Sequence, residues 1–221
     1  MKKSYSIIIP IYNEEDKIPE LLNSLKDYSL EGHEIIIIDD GSRDNSYKLL
    51  SRSNFIKLLY TNKNKGKGEA VKLGLKNSTN PMVVIFDGDL ELHPREIEKL
   101  LILDRKNSIQ CVFATRYNKI RPFESYWNIG NYFLTKLFNY MNNVNLSDAL
   151  CCAKSFYKSD INIDLLISKK FDIDVEIASM LIKKYKRATS VNLNYLRRNK
   201  NDGKKLKIFD SISILSRIIN N

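Results

Sequence analysis

Four strand-length apolar runs, Tyr5–Ile9, Ile35–Ile38, Phe55–Tyr60 and Met82–Phe86, are each followed by a segment with apolar residues at helical spacing: Ile18–Leu25, Tyr47–Leu50, Ala70–Leu75 and Ile97–Leu103. The first, second and fourth runs are almost continuously apolar, as strands covered on both faces must be. Strand alternating with helix predicts an α/β protein with a mostly parallel central sheet flanked by helices. In open sheets of this kind ligands gather at the carboxyl ends of the strands. Those ends read "PIYNEE", "DDGSRDNS", "TNKNKGKG" and "DGDLELHP", so polar and charged residues stand where the fold provides a site.

The pattern changes after Arg116. "RPFESYWNIGNYFLTKLFNYMNN" sets Phe123, Tyr126, Trp127, Gly130, Phe133, Leu134, Leu137, Phe138 and Met141 on one helical face. Val175–Ile182 reads as a helix and Val191–Tyr195 as a short strand, and Ile208, Ile212, Leu215 and Ile219 share one face of a basic amphipathic C-terminal helix. Core packing and contact with a membrane interface both fit such stripes. With 221 residues, 43% hydrophobic and 28% charged, the chain is expected to form one domain over 1–221, with 1–118 and 119–221 as its two halves.

The net charge of +10 is unevenly placed: between Lys183 and Lys207 there are ten basic residues and a single acid, Asp202. Such a surface suits nucleic acid, an anionic membrane, a phosphorylated substrate or plain solvent. Cys111, Cys151 and Cys152 are an odd number with two adjacent, which gives neither a disulfide framework nor a zinc signature and points to a reducing, cytoplasmic setting. The apolar run of "MKKSYSIIIPIYNEE" is too short for a signal sequence. No other apolar patch approaches the ~20 residues of a membrane span, so any membrane contact is expected to be peripheral.

Within "VVIFDGDLELHP", Asp87, Asp89 and Glu91 fall at alternate positions with no basic residue between them. In an extended chain they would share a side. Converging carboxylates repel unless they protonate, pair with cations or bind a metal. A hard divalent ion with a diphosphate fits this oxygen-rich set, and an acidic start to the helix after His93-Pro94 is the structural alternative. Asp39 or Asp40 is placed to accept hydrogen bonds from a ribose or base edge. Gly66 and Gly68 beside Lys65 and Lys67 suit phosphate contacts, without the order of a P-loop. A nucleoside-diphosphate sugar would meet all three demands.

Eight segments in order, "IIIPIYNEE", "IIIIDDGSRDNS", "NKGKGEAVKLGL", "VVIFDGDLELHP", "ATRY", "DALCCAKSFYKSD", "FDIDVEI" and "YLRRNKNDGKKL", resemble the family-2 glycosyltransferases of the GT-A fold, in particular the polyprenyl-phosphate mannosyl- and glucosyltransferases. The resemblance implies that Pro10, Tyr12, Glu14, Asp39, Lys67, Asp87, Gly88 and Asp89 bind a GDP- or UDP-hexose. It implies that Asp87, Asp89 and Glu91 hold Mg²⁺ or Mn²⁺, and that Arg116, Arg121, Ser125 and Arg198 receive an acceptor phosphate. "DALCCAKSF" departs from the family pattern, with Cys152 and Ala153 in place of a glycine and an aromatic residue.

The reaction so implied is an inverting, metal-assisted single displacement onto a polyprenyl phosphate at the cytoplasmic membrane surface, with Asp89, Arg116 and Asp174 as the catalytic set. A phosphate acceptor is already ionised and needs only cations. A hydroxyl acceptor would need a base, and Asp174 of "FDIDVEI" stands where such a base is expected. A sugar-1-phosphate nucleotidyltransferase would carry a Gly-rich, arginine-containing loop where "PIYNEED" stands. No nucleic-acid recognition motif accompanies the positive charge, so nucleic acid is not expected as a partner.

Overall fold

The computed structural model describes residues 3–116, 126–196 and 208–220. β1 (Tyr5–Ile11), β2 (Glu34–Asp39), β3 (Lys57–Tyr60), β4 (Met82–Ile85), β5 (Cys111–Thr115), β6 (Lys154–Tyr157) and β7 (Thr189–Asn192) form one seven-stranded sheet in the order β3-β2-β1-β4-β6-β5-β7. β1 pairs in parallel with β2 and β4, β2 with β3, and β5 with β7. β6 is the exception, antiparallel to both β4 and β5. The expected mostly parallel sheet therefore holds, with one reversed strand joining its two parts.

The helices are α1 (Ile18–Leu30), α2 (Ser46–Leu50), α3 (Lys67–Asn77), α4 (Tyr126–Asn142), α5 (Ile173–Tyr185) and α6 (Ile208–Asn220). Alternate strand residues feed two cores. Ile7, Ile9, Ile35 and Ile37 pack with Ile18, Leu21 and Leu25 of α1 on one face, while Ile8, Ile36 and Ile38 pack with Val71, Leu75 and the α5 residues on the other. Each of these isoleucines is buried, and each such burial stabilises the fold by roughly 1.5–3 kcal/mol. That two-sided burial is why β1 and β2 read as continuous apolar runs rather than alternating ones.

Four local expectations change. Ile97–Leu103, expected as an α-helix, is a 3₁₀ segment over Pro94–Leu100, entered through Pro94 and a hydrogen bond from the Arg95 amide to the His93 ring. The last strand begins two residues before Val191. The C-terminal helix turns Ile214 and Ile218 into the core, not the stripe that the sequence groups together; Ile212 and Ile219 are 61% and 53% exposed, and Leu215 is exposed beside them. The α4 stripe divides in the same way: Phe138 is buried and Leu134 and Leu137 pack against the core, whereas Phe133 and Met141 are 70% and 48% exposed.

Candidate functional site

At the carboxyl ends of β1 and β2 two loops are tied to each other. The Asn13 amide donates to Ser42 Oγ (2.9 Å) and the Arg43 amide returns a bond to Asn13 Oδ1 (2.7 Å). The amides of Glu14 and Glu15 donate to Ser46 Oγ (2.9 Å) and Asp44 Oδ2 (3.1 Å), and Asn45 donates back to Glu15 Oε2. Pro10 lies in β1 opposite Ile38, half-buried Tyr12 follows the strand, and Glu14 is buried. The two adjacent aspartates at the end of β2 have separate tasks. Asp40 spends both oxygens on the next loop, accepting from Thr61 Oγ1 (3.0 Å), the Lys65 amide (2.9 Å) and the Gly66 amide (2.7 Å). Asp39 accepts from the Ser42 amide through Oδ1 (2.7 Å), and its Oδ2 is buried without a partner. A buried carboxylate oxygen without a donor is costly, so Asp39, rather than Asp40, is the acceptor that fits a ribose hydroxyl or a base N–H.

The first residue of α3, Lys67, supplies the positive charge missing from the run around Asp87. Its ammonium lies 2.8 Å from Asp87 Oδ1 and 2.8 Å from Asp174 Oδ2, and the side chain is almost fully buried. Burial pulls the Lys67 ammonium toward neutrality, but the Asp174 and Asp87 charges reverse that and hold its pKa well above the ordinary lysine value. For Asp87, burial pushes the carboxyl up, and the Lys67 charge and hydrogen bond, a hydrogen bond from Cys152 and the Arg116 charge together outweigh it and bring the pKa below the ordinary value. The turn that presents Lys67 requires glycine: Gly66 has φ 99°, and a Cβ there would sit 2.3 Å from the Lys169 carbonyl oxygen. Gly88 is under a different constraint, since its Cβ would meet Ile11 Cδ1 at 2.1 Å.

The three acids of "DGDLE" do not converge. The chain leaves the strand at Ile85 and turns, with Leu90 at φ 61°. Asp87 faces Lys67, Asp89 Oδ1 caps the Glu91 amide (3.0 Å), and the Glu91 carboxylate accepts from the Tyr195 hydroxyl (2.9 Å). Among the described residues no group of three His, Cys, Asp or Glu side chains comes together to hold a metal. The donor set that fits a hard cation is thus smaller than the sequence implies: Asp89, with Asp87 two residues before it in the chain, matches the one or two carboxylates that Mg²⁺ takes alongside substrate phosphates.

Arg116, just past β5, expected to receive the acceptor phosphate, is gripped by Asp148: Nε donates to Oδ2 (2.8 Å) and an Nη to Oδ1 (3.0 Å), with Asn131 Oδ1 at 3.3 Å. Asp148 is fully buried, and although burial raises its carboxyl pKa, the Arg116 guanidinium brings it below the usual range. Tyr195 joins this pair to the Asp89 turn, its ring lying 5.7 Å from the Arg116 guanidinium. Asp148, at the head of the "DALCC" segment, is not among the residues the sequence points to, and Cys152 stands out there only as a departure from the family pattern; the signal available for Asp148 is a lone acid directly before the apolar run Ala149–Ala153. Arg121, Ser125 and Arg198 lie outside the described residues.

Parallel-strand ends carrying a buried aspartate oxygen at β2, an Asp-x-Asp turn after β4 and a lysine at a helix start make the arrangement expected of a nucleotide-diphospho-sugar transferase, or GT-A, fold. Solved structures agree on the fold: glucosyl-3-phosphoglycerate synthase from Mycobacterium tuberculosis in complex with UDP superposes with TM-score 0.73 at 18% identity, covering 99% of this chain and 79% of that one. The same enzyme with Mn²⁺, UDP-glucose and glycerol 3-phosphate gives TM-score 0.72 at 17% identity, with the same coverage. Residues 6–165 match the family described as Glycosyl transferase family 2. The chain belongs to that family. Curated relatives include the undecaprenyl-phosphate 4-deoxy-4-formamido-L-arabinose transferases of Proteus mirabilis (strain HI4320), 36% identical over 105 residues, and of Pseudomonas fluorescens (strain SBW25), 39% identical over 106. Each match covers 43% of this chain and 32% or 30% of the relative, so the chain matches about a third of those relatives' length.

Proposed function

We propose that this protein transfers a hexose from a nucleoside-diphosphate sugar, GDP- or UDP-linked, to a polyprenyl phosphate, by inverting single displacement at the cytoplasmic face of a membrane. Residues 1–118 supply the donor site and 119–221 the acceptor side. The observation that carries the acceptor assignment is the Lys67 clamp, 2.8 Å from both Asp87 and Asp174. Asp174 Oδ2 is already engaged by the Lys67 ammonium inside a buried pair, so that oxygen is not open to an acceptor hydroxyl. A phosphate acceptor needs no base. The likeness to undecaprenyl-phosphate transferases supports the same acceptor class.

In this reading Asp39 Oδ2 accepts from the base or ribose, and Lys67 keeps Asp87 ionised. Asp89 and Asp87 would hold Mg²⁺ or Mn²⁺, which when bound supplies neutralisation of the departing diphosphate. Tyr12, Glu14, Pro10 and Gly88 shape the donor side, and Glu91 braces the turn through Tyr195. Arg116, oriented by Asp148, shares the acceptor phosphate with Arg121, Ser125 and Arg198. The exposed apolar residues of α4 and α6 and the basic stretch of 183–207 suit an anionic surface, at roughly 1 kcal/mol per well-placed cation. No described helix is long and apolar enough to cross a membrane.

A second reading, a hydroxyl acceptor with Asp174 as base, is favoured by the location of Asp174 within the site. One assay separates the two. Labelled GDP- and UDP-hexoses are offered with Mg²⁺ or Mn²⁺ on anionic vesicles carrying either polyprenyl phosphate or the corresponding polyprenol, at low and high salt. Label entering the organic phase only with the phosphate, and less at high salt, is expected. Label entering only the alcohol would overturn the phosphate reading.

A further inference from the structure

We propose that Arg217, on the C-terminal helix α6, is a positioning residue for Lys67 and Asp174, although it touches neither; this rests on the reading of those two residues as part of the catalytic centre. The Arg217 guanidinium reaches Asp172 Oδ2 at 3.3 Å and Glu176 Oε1 at 3.7 Å, with all three side chains largely buried. Asp172 and Glu176 bracket Asp174 at the start of α5. Residues two apart on a helix do not share a face, so Arg217 holds α5 from behind while Asp174 faces Lys67.

The same two carboxylates restrain a second path to the lysine. Glu176 accepts from the amides of Ile167 (3.0 Å) and Ser168 (2.9 Å), and Asp172 accepts from the Lys170 amide (3.3 Å). The carbonyl between them, that of Lys169, receives the amides of Gly68 (2.9 Å) and Glu69 (3.4 Å) in the first turn of α3. Lys67 is the residue immediately before, and Gly66 and Gly68 are both pressed against the 168–169 backbone. One guanidinium therefore steadies both ends of the Lys67–Asp174 pair, through α5 and through the 167–170 segment. An arginine suits the task because its planar fork spans two acceptors, whereas lysine offers a point charge. Without a cation, Asp172 and Glu176 repel each other in a poorly solvated setting and release the amides they hold.

Amide hydrogen exchange on the intact chain tests the coupling without requiring activity. Arg217→Gln should speed exchange at Ile167, Ser168 and Gly68 on the order of tenfold while β1 amides change little, and Arg217→Lys should fall between Gln and the native residue. In the vesicle assay the turnover of Arg217→Gln should drop about tenfold, with a smaller change in donor KM and partial recovery in Arg217→Lys. Native protection at those three amides would overturn the proposal. So would an equal loosening of β1, which would make Arg217 merely structural, or unchanged turnover in the loosened variant. If the amides loosen as expected but the native protein transfers no sugar from any donor, the physical coupling holds and the sugar-transfer reading is what fails.

Discussion

The two sides of the site are built differently. Around β1, β2 and β3 the loops are stitched by many short bonds between backbone amides and Ser, Asn, Asp and Glu side chains, as at Asn13, Ser46 and Asp40. Around β5, β6 and α5 the geometry depends on a few ion pairs between residues far apart in the chain: Arg116 with Asp148, Lys67 with Asp174, Arg217 with Asp172. Many weak ties make the proposed donor side tolerant of single losses. A few buried charges make the proposed acceptor side sensitive to them, because removing one partner leaves the other uncompensated.

The largest expected effect follows directly. Arg116→Met leaves the fully buried Asp148 charge without its main partner, and should cost about 3–5 kcal/mol in urea unfolding at pH 7. The pH dependence has a definite sign. The folded Asp148 pKa is depressed, so its contribution in the native protein is complete above the unfolded carboxylate value near 3.9 and is lost as pH falls through the folded one. In Arg116→Met the unpaired acid gains by protonation, so the gap between variant and native protein should narrow as pH drops toward that range. A gap under about 1 kcal/mol at neutral pH would show that the acceptor side does not depend on this pair.

A smaller loss, and one without much unfolding, is expected on the donor side. Asp89 is half-buried and its Oδ1 caps a turn, so Asp89→Ala should move stability by about 1 kcal/mol. Metal-dependent transfer should nevertheless fall at least about 100-fold, since several kcal/mol of charge neutralisation would be lost with it. Calorimetry should show nucleotide binding that no longer strengthens on adding Mn²⁺. Intact metal-dependent binding would remove Asp89 from the donor site.

The same contrast decides what could be read from the sequence. β1, β2 and β4 and their loops were legible because parallel buried strands write apolar runs and their ends write polar motifs locally. β6 escaped notice: at four residues, Lys154–Tyr157, with a buried lysine whose ammonium bonds the Cys151 carbonyl, it carries no apolar run. The convergence expected of Asp87, Asp89 and Glu91 assumed an extended chain, and the left-handed Leu90 breaks that alternation. Their neutralising partner was invisible for a related reason. No cation stands between the acids, and Lys67 arrives from the preceding loop. For α6 the sequence leaves core packing and interfacial contact both open because both faces are apolar; packing against α4 and α5 selects Ile214 and Ile218 as the buried pair.

The smallest expected effect is the one that bears most on chemistry. Asp174→Asn removes one of the two carboxylates on Lys67 and keeps the side-chain shape, so Asp87 retains its own 2.8 Å contact with the lysine. If the acceptor is a phosphate, no proton is taken up at Asp174 in the transfer step. The variant should then keep donor affinity and lose no more than about tenfold in turnover, the share assignable to a looser Lys67. A general base would be worth about 10²–10⁴ in rate. Turnover in Asp174→Asn, measured beside donor affinity by calorimetry, separates these ranges. A loss of 100-fold or more at unchanged donor affinity would mean that the clamp opens in the working complex, that Asp174 is freed to accept a proton, and that the acceptor is an alcohol.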